Sequence, residues 1–152
     1  MDQIDRKILA ALQDNAGRPV AEIAAAAGLS QSPCWRRIQK LEADGVIQRR
    51  VALLDAAQLN LGVTAFVAVR TNRHDPAWLE TFAEAVQDIP EIVELYRMSG
   101  EVDYMLRVVV PDIASFDAVY KKLIARVPLS DVTSSFAMEQ IKYTTALPLD
   151  YV

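Results

Sequence analysis

The stretch PVAEIAAAAGLSQSPCWRRIQKLEADGVIQRRV, Pro19 to Val51, constrains this chain more than any other. It reads as a short Ala-rich helix, a Gly-Leu-Ser turn, a second helix carrying Arg36, Arg37 and Lys40, and a basic strand. Ahead of it, Ile4, Ile8 and Leu12 stand four apart beside Leu9, the apolar stripe of an amphipathic helix over residues 2–14 that Asp2 is placed to cap. Asn15-Ala-Gly17 ends that helix, and Pro19 suits the first turn of the next, where its missing N–H costs nothing. Gly28 then stops the second helix, Ser30 caps the third and Gly45 closes it. Three short helices and a strand, VIQRRVALLD from Val46, are the order a helix-turn-helix with a wing requires.

The third helix has one inward stripe. At about 100° per residue, Cys34 and Leu41 fall within about 60° of Ile38, so the helix packs through these three. Ser32, Pro33, Arg36, Gln39 and Lys40 point away, and Gln31 opens the helix beside them. That chemistry suits a major groove: Arg36 for guanine, Gln39 for adenine, Ser32 for a base or phosphate near the helix N-terminus. Arg37 and Trp35 lie on the flanks, where phosphate contact or packing is the natural role, and Arg49 and Arg50 add phosphate contacts from the strand. Cys34, on the inward stripe, reads as a buried small hydrophobe.

Charge follows the same division. The chain has a net charge of −4, an unpromising sign for a nucleic-acid binder. Residues 1–60, however, hold 8 basic against 7 acidic side chains, and residues 61–152 hold 8 against 13. The positive field is local to the helical part, as in a modular binder. A single cysteine rules out an intrachain disulfide, and with His74 as the one histidine no ordinary zinc ligand set exists. With 52% hydrophobic residues the chain buries a core, yet no apolar run reaches the length of a membrane span and the first residues do not read as a signal peptide. The expected address is the cytoplasm.

Beyond residue 61 the pattern changes. TAFVAVRT (64–71), a helix over 76–87, EIVELYRM (91–98), VDYMLRVVV (102–110), a helix over 113–126 and DVTSSFAMEQIKYT (131–144) predict the order βαββαβ. Asp75 and Asp112 stand where helix caps belong. The expected class is α+β: an N-terminal winged helix-turn-helix over 1–45, a wing and hinge strand over 46–61, and a ferredoxin-like domain over 62–152. Two helices cover one face of such a sheet, yet these strands are apolar on both: Phe66 and Ala68 alternate with Ala65, Val67 and Val69. The uncovered face is therefore expected to meet a second copy of the chain.

IDRKILAALQDNAG, AEIAAAAGLSQSPCWRRIQKLEADGVI, the segment ending ALLD, and YRMSGEVDYMLRV within the βαββαβ pattern resemble the Lrp/AsnC, or feast-famine, family of transcription regulators, from about Ile4 to Tyr143. The resemblance implies double-stranded DNA as partner and a domain that dimerises through its sheets, with dimers assembling to tetramers or octamers. It also implies a small amino acid as effector, bound between dimers near the turn joining the second and third sheet strands. Carried over residue by residue, that site is Met98, Ser99, Gly100, Glu101, Val102, Asp103 and Tyr104, with Ser134, Ser135 and Phe136 from the last strand. Gly100 frees the turn's backbone N–H groups for the ligand carboxylate, Asp103 offers an acceptor for its ammonium, and Met98 shapes a side-chain pocket.

Two other readings compete. Siroheme decarboxylases of similar fold bind a carboxylated tetrapyrrole, a chemistry calling for several basic groups including histidine; here His74 alone exists, read as an exposed loop residue. No Ser-His-Asp set, phosphate-binding loop or metal motif supports another enzyme, so no catalytic residue, metal or cofactor is expected. A DNA-independent amino-acid sensor is the third reading, opposed by the outward Arg36, Gln39 and Lys40.

Overall fold

The computed structural model describes residues 1–73 and 75–152, so the reading of His74 lies outside it. The chain forms two compact units, Met1–Leu53 with Ile141–Val152, and Leu54–Gln140.

The first unit is built on three helices, α1 (Gln3–Asp14), α2 (Val20–Ala27) and α3 (Gln31–Ala43). Asp2 and Asp5 cap α1 reciprocally, each side chain accepting the other's backbone N–H at 2.9 and 3.0 Å. Gly28, at φ 74°, ends α2 in the left-handed conformation that glycine adopts without strain. Ser30 occupies the N-cap of α3 with extended backbone, but its hydroxyl makes no capping bond. Ile8, Leu12, Ile23, Ala24, Cys34, Ile38 and Leu41 form the core, and the small alanines of α2 let the helices approach. Burial pushes the Cys34 thiol up, which keeps it protonated and inert.

The segment after α3 departs from expectation. Residues 46–61 contain no strand, because no strand of this chain lies beside them to complete a ladder. Ile47 instead folds back on the helical core, its N–H donating to Leu41 O at 3.1 Å, and Arg50 reaches Glu42 at 2.9 Å. The C-terminal tail also moves from its expected domain. Gln13 holds it by two bonds, Nε2 donating to Leu147 O at 3.1 Å and Oε1 accepting from Leu147 N at 2.6 Å, while Leu149 packs on the helical core.

The second unit is βαββαβ. Its strands β1 (Val63–Arg70), β2 (Ile92–Arg97), β3 (Tyr104–Val110) and β4 (Asp131–Phe136) lie in the order β2-β3-β1-β4, all antiparallel, the ferredoxin-like arrangement. Helices α4 (Pro76–Gln87) and α5 (Ile113–Arg126) start where Asp75 and Asp112 accept the N–H groups of Trp78 and Ser115. β4 stops short of the expected Thr144: Phe136 pairs with Ala65, two residues from the start of β1, so its partner strand runs out. Val67, Leu106, Val108, Trp78, Phe82 and Leu123 are among the core side chains between sheet and helices. Among the described residues no helix is long and apolar enough to cross a membrane.

The capping bonds carry a pH signature. Backbone N–H groups hold the carboxyls of Asp75 and Asp112 below their ordinary value of 3.8. The stability they contribute is therefore present above about pH 4 and lost as pH falls through the lowered folded values. Asparagine keeps the cap but does not titrate. The Asp75→Asn, Asp112→Asn double variant should thus lose less of its urea midpoint between pH 5 and pH 3 than the parent; equal losses would remove the caps from the acid response.

Candidate functional site

The packing of the first unit sets which side chains of α3 remain available. Cys34, Ile38 and Leu41 are buried, so the opposite arc, Ser32, Arg36, Gln39 and Lys40, is exposed; Gln31 is exposed and Pro33 half-buried at the helix start. Arg36 and Arg49 form no ion pair among the described residues. Lys40 reaches Asp44 at 2.7 Å, which holds its ammonium above the usual lysine range, and Gln39 reaches Glu42 at 3.0 Å. Asp44 is exposed and Glu42 half-buried, and Lys40 and Gln39 are themselves exposed, so these contacts exchange readily for water or phosphate.

Arg37 is placed differently from its expected phosphate contact. Its guanidinium donates to Asp2 and to Asp5, both at 2.7 Å, fastening α3 to the capping box of α1. Those bonds raise the Arg37 pKa and help lower that of Asp2. Arg50, bound to Glu42, is likewise engaged within the unit. Trp35, read from the sequence as a packing residue, is 52% exposed on the flank of the outward arc.

In the second unit, the turn between β2 and β3 is the other candidate site. Met98 N donates to Asp103 O at 2.8 Å, closing a loop in which Gly100 adopts φ 116°. Among the described residues the N–H groups of Ser99, Gly100, Glu101 and Val102 find no protein acceptor, which leaves a set of donors at the loop tip. Asp103 Oδ2 accepts from Thr71 N at 2.8 Å, and its own N–H donates to Val69 O at 3.0 Å, so it straps the turn to the end of β1. Glu101 faces Arg70 at 3.5 Å.

Three of the carried-over positions fall elsewhere. Tyr104 is a core residue on the helix-covered face, its ring 5.2 Å from Phe82 and 5.7 Å from Trp78. Ser134 and Phe136 also lie on that face, opposite Val67 and Ala65, and Phe136 packs edge-on against Phe116 at 5.0 Å. Ser135 alone turns to the open face, opposite Phe66. It stands four rows from Asp103 and two strands across, roughly 13 Å along the sheet and about 10 Å over it. One chain does not bring Ser135 and the turn into one pocket. Thr71, which holds Asp103, was missed by sequence reasoning because nothing in its neighbours marks it.

The open face carries Phe66, Met105, Tyr96 and Val109 around an ion pair in which Arg107 Nη2 donates to Glu94 Oε1 at 2.6 Å, holding the Glu94 carboxyl below its usual range. Phe66 and Tyr96 are 42% and 54% exposed.

A helix-turn-helix with a free outward arc, followed by a four-stranded α+β unit, defines a two-domain DNA-binding regulator. Residues 1–48 match the family model of winged helix-turn-helix DNA-binding domains, and residues 64–147 match that of the Lrp/AsnC ligand binding domain. The chain belongs to the Lrp/AsnC family of transcriptional regulators. It is 48% identical to the DNA-binding transcriptional activator DecR of Escherichia coli, over 99% of each chain. A crystal structure of an AsnC family regulator from Agrobacterium tumefaciens superposes with a TM-score of 0.96 at 62% identity, covering 99% of both chains. A transcriptional regulator from Neisseria meningitidis, solved as a complex with L-Met, does so at 0.94 and 36%, covering 99% of this chain and 98% of that one.

Proposed function

We propose that this protein presents α3 to the major groove of duplex DNA and that a small amino acid, bound at the turn Ser99–Asp103, tunes its DNA affinity or assembly. The observation that carries the first half is the exposed arc of Ser32, Arg36, Gln39 and Lys40 on a helix whose other side is fixed in a core. Arg36 is the base-reading residue; Lys40, Arg49 and Arg50 supply phosphate contacts, the last by leaving Glu42.

The second half rests on the loop-tip N–H groups, which suit a carboxylate, and on the remaining oxygen of Asp103, which suits an ammonium. The Neisseria relative holds an amino acid, L-Met. Since the turn and Ser135 stand too far apart in one chain, a second copy completes the pocket, and the partly apolar open face is where sheets of two copies meet. An effector bound across such a contact acts only through different affinity for two arrangements of the assembly. The relatives bear the names of regulators, and the role proposed for this chain is binding, with no catalytic step.

Arg36→Ala should cost about 1–3 kcal/mol of specific DNA binding in a fluorescence titration. Arg37→Ala should instead lower the urea midpoint and leave the preferred sequence unchanged. Equal losses of specificity from both would refute the division of roles.

In a thermal-shift screen of the amino acids, L-methionine included, at least one should raise the melting temperature, and Asp103→Ala should remove the rise. A panel without a binder, or a variant that still responds, argues against the site.

Phe66→Asp, which puts a charge beside Arg107 and Glu94 on the open face, should turn a dimer or larger assembly into monomer by light scattering. An unchanged mass would place the interface elsewhere.

A further inference from the structure

The chain has two tryptophans in opposite states. Trp78 is 3% exposed and its Nε1 donates to Pro128 O at 3.3 Å, whereas Trp35 is half exposed and its indole N–H has no acceptor among the described residues. A half-exposed indole on a well-packed helix is a large apolar surface without a partner. At about 100° per residue from Ile38, Trp35 lies near 60°, Gln39 near 100°, Ser32 near 120° and Arg36 near 160°, so the ring adjoins the outward arc. Arg37 lies on the opposite flank, against α1.

The indole also helps to shape a cavity. Trp35, Val20 at the start of α2, Gln31, Ser32 and Arg36 line a shallow pocket of about 370 Å³. Its wall is mostly apolar at Trp35 and Val20 and polar at Ser32 and Arg36. Whatever covers Trp35 therefore touches Arg36 and Ser32 as well, and the occupant continuous with that interface is duplex DNA. Among the groups that base edges present in the major groove, the apolar one is the 5-methyl of thymine.

We infer that Trp35 is a specificity-determining residue that packs on a thymine methyl group beside the base read by Arg36. This rests on the proposed docking of α3 in the major groove. Arg36 then supplies a hydrogen-bonded contact and Trp35 an apolar one, so the recognised step combines a guanine with a neighbouring thymine.

The test uses the full chain and a duplex enriched by it from a randomised pool, in which each thymine is replaced in turn by deoxyuridine, removing the methyl alone. Wild-type protein should lose affinity at one thymine per half-site, by about fourfold for each methyl removed. Trp35→Ala should bind the parent duplex more weakly and be indifferent to that replacement. Trp35→Phe, which keeps an apolar ring, should retain part of the sensitivity and provides the comparison if the alanine variant does not fold. Deoxyuridine profiles that coincide for wild type and variants, or a loss of affinity spread evenly over all positions, would overturn the assignment while leaving DNA docking intact. A wild-type chain that enriches no duplex would overturn both.

Discussion

The rotational setting of α3 governs the DNA-binding half of the molecule. Cys34, Ile38 and Leu41 bury one stripe of the helix, and Arg37, donating to Asp2 and Asp5, fixes it on a second side. Two fixed directions leave one arc for a partner. The same carboxylates that cap α1 receive the guanidinium, so the start of α1 and the middle of α3 are held by one charged cluster. Asp2 is exposed and Arg37 and Asp5 are half-buried, so solvent still screens the cluster, and its value lies in geometry. A turn of α3 by one residue would put Arg36 in place of Arg37 at Asp5 and bury Arg37 where Ile38 now sits.

A different constraint shapes the second unit. Two helices shield one face of a four-stranded sheet, and strand alternation assigns each residue to a face with no freedom of choice. That parity separates Ser135 from Ser134 and Phe136, and Arg107 from Leu106. On the open face, the Arg107–Glu94 pair lies among half-buried and exposed apolar side chains. Covering such a pair without breaking it preserves its hydrogen bond in a less polar setting, where an unmatched charge would be costly. A second identical face brings its own matched pair, which makes self-association compatible with the desolvation it requires.

Helices α4 and α5 and the order βαββαβ along the chain were legible because local signals suffice for them: Asp75 and Asp112 mark helix starts, and runs of β-branched and aliphatic residues mark strands. Residues 46–55 have the composition of a strand but lack a neighbouring strand, and a ladder is a property of two segments. The tail was misplaced for a similar reason, since the bonds from Gln13 to Leu147 join positions 134 residues apart. At the turn between β2 and β3, residue types marked a loop but not the burial of Tyr104, whose inward side follows from its pairing with Val69 and Arg97. Helical angles placed Arg37 and Trp35 correctly on the flanks. What they could not supply was the neighbour on each flank: a charged cap for one, and open space for the other.

The chain passes between the two units twice, at Leu53–Leu54 and again at Gln140–Ile141. The second segment is anchored within the first unit by the pair of bonds between Gln13 and Leu147 together with the packing of Leu149. The second crossing begins four residues after Phe136, at the end of the strand that carries Ser134 and Ser135. Ten residues separate Phe136 from Leu147, which Gln13 of α1 holds by hydrogen bonds, and α1 shares its core with α3. Any signal sent along that segment must differ in free energy between two positions of β4, since a ligand that binds both equally moves neither.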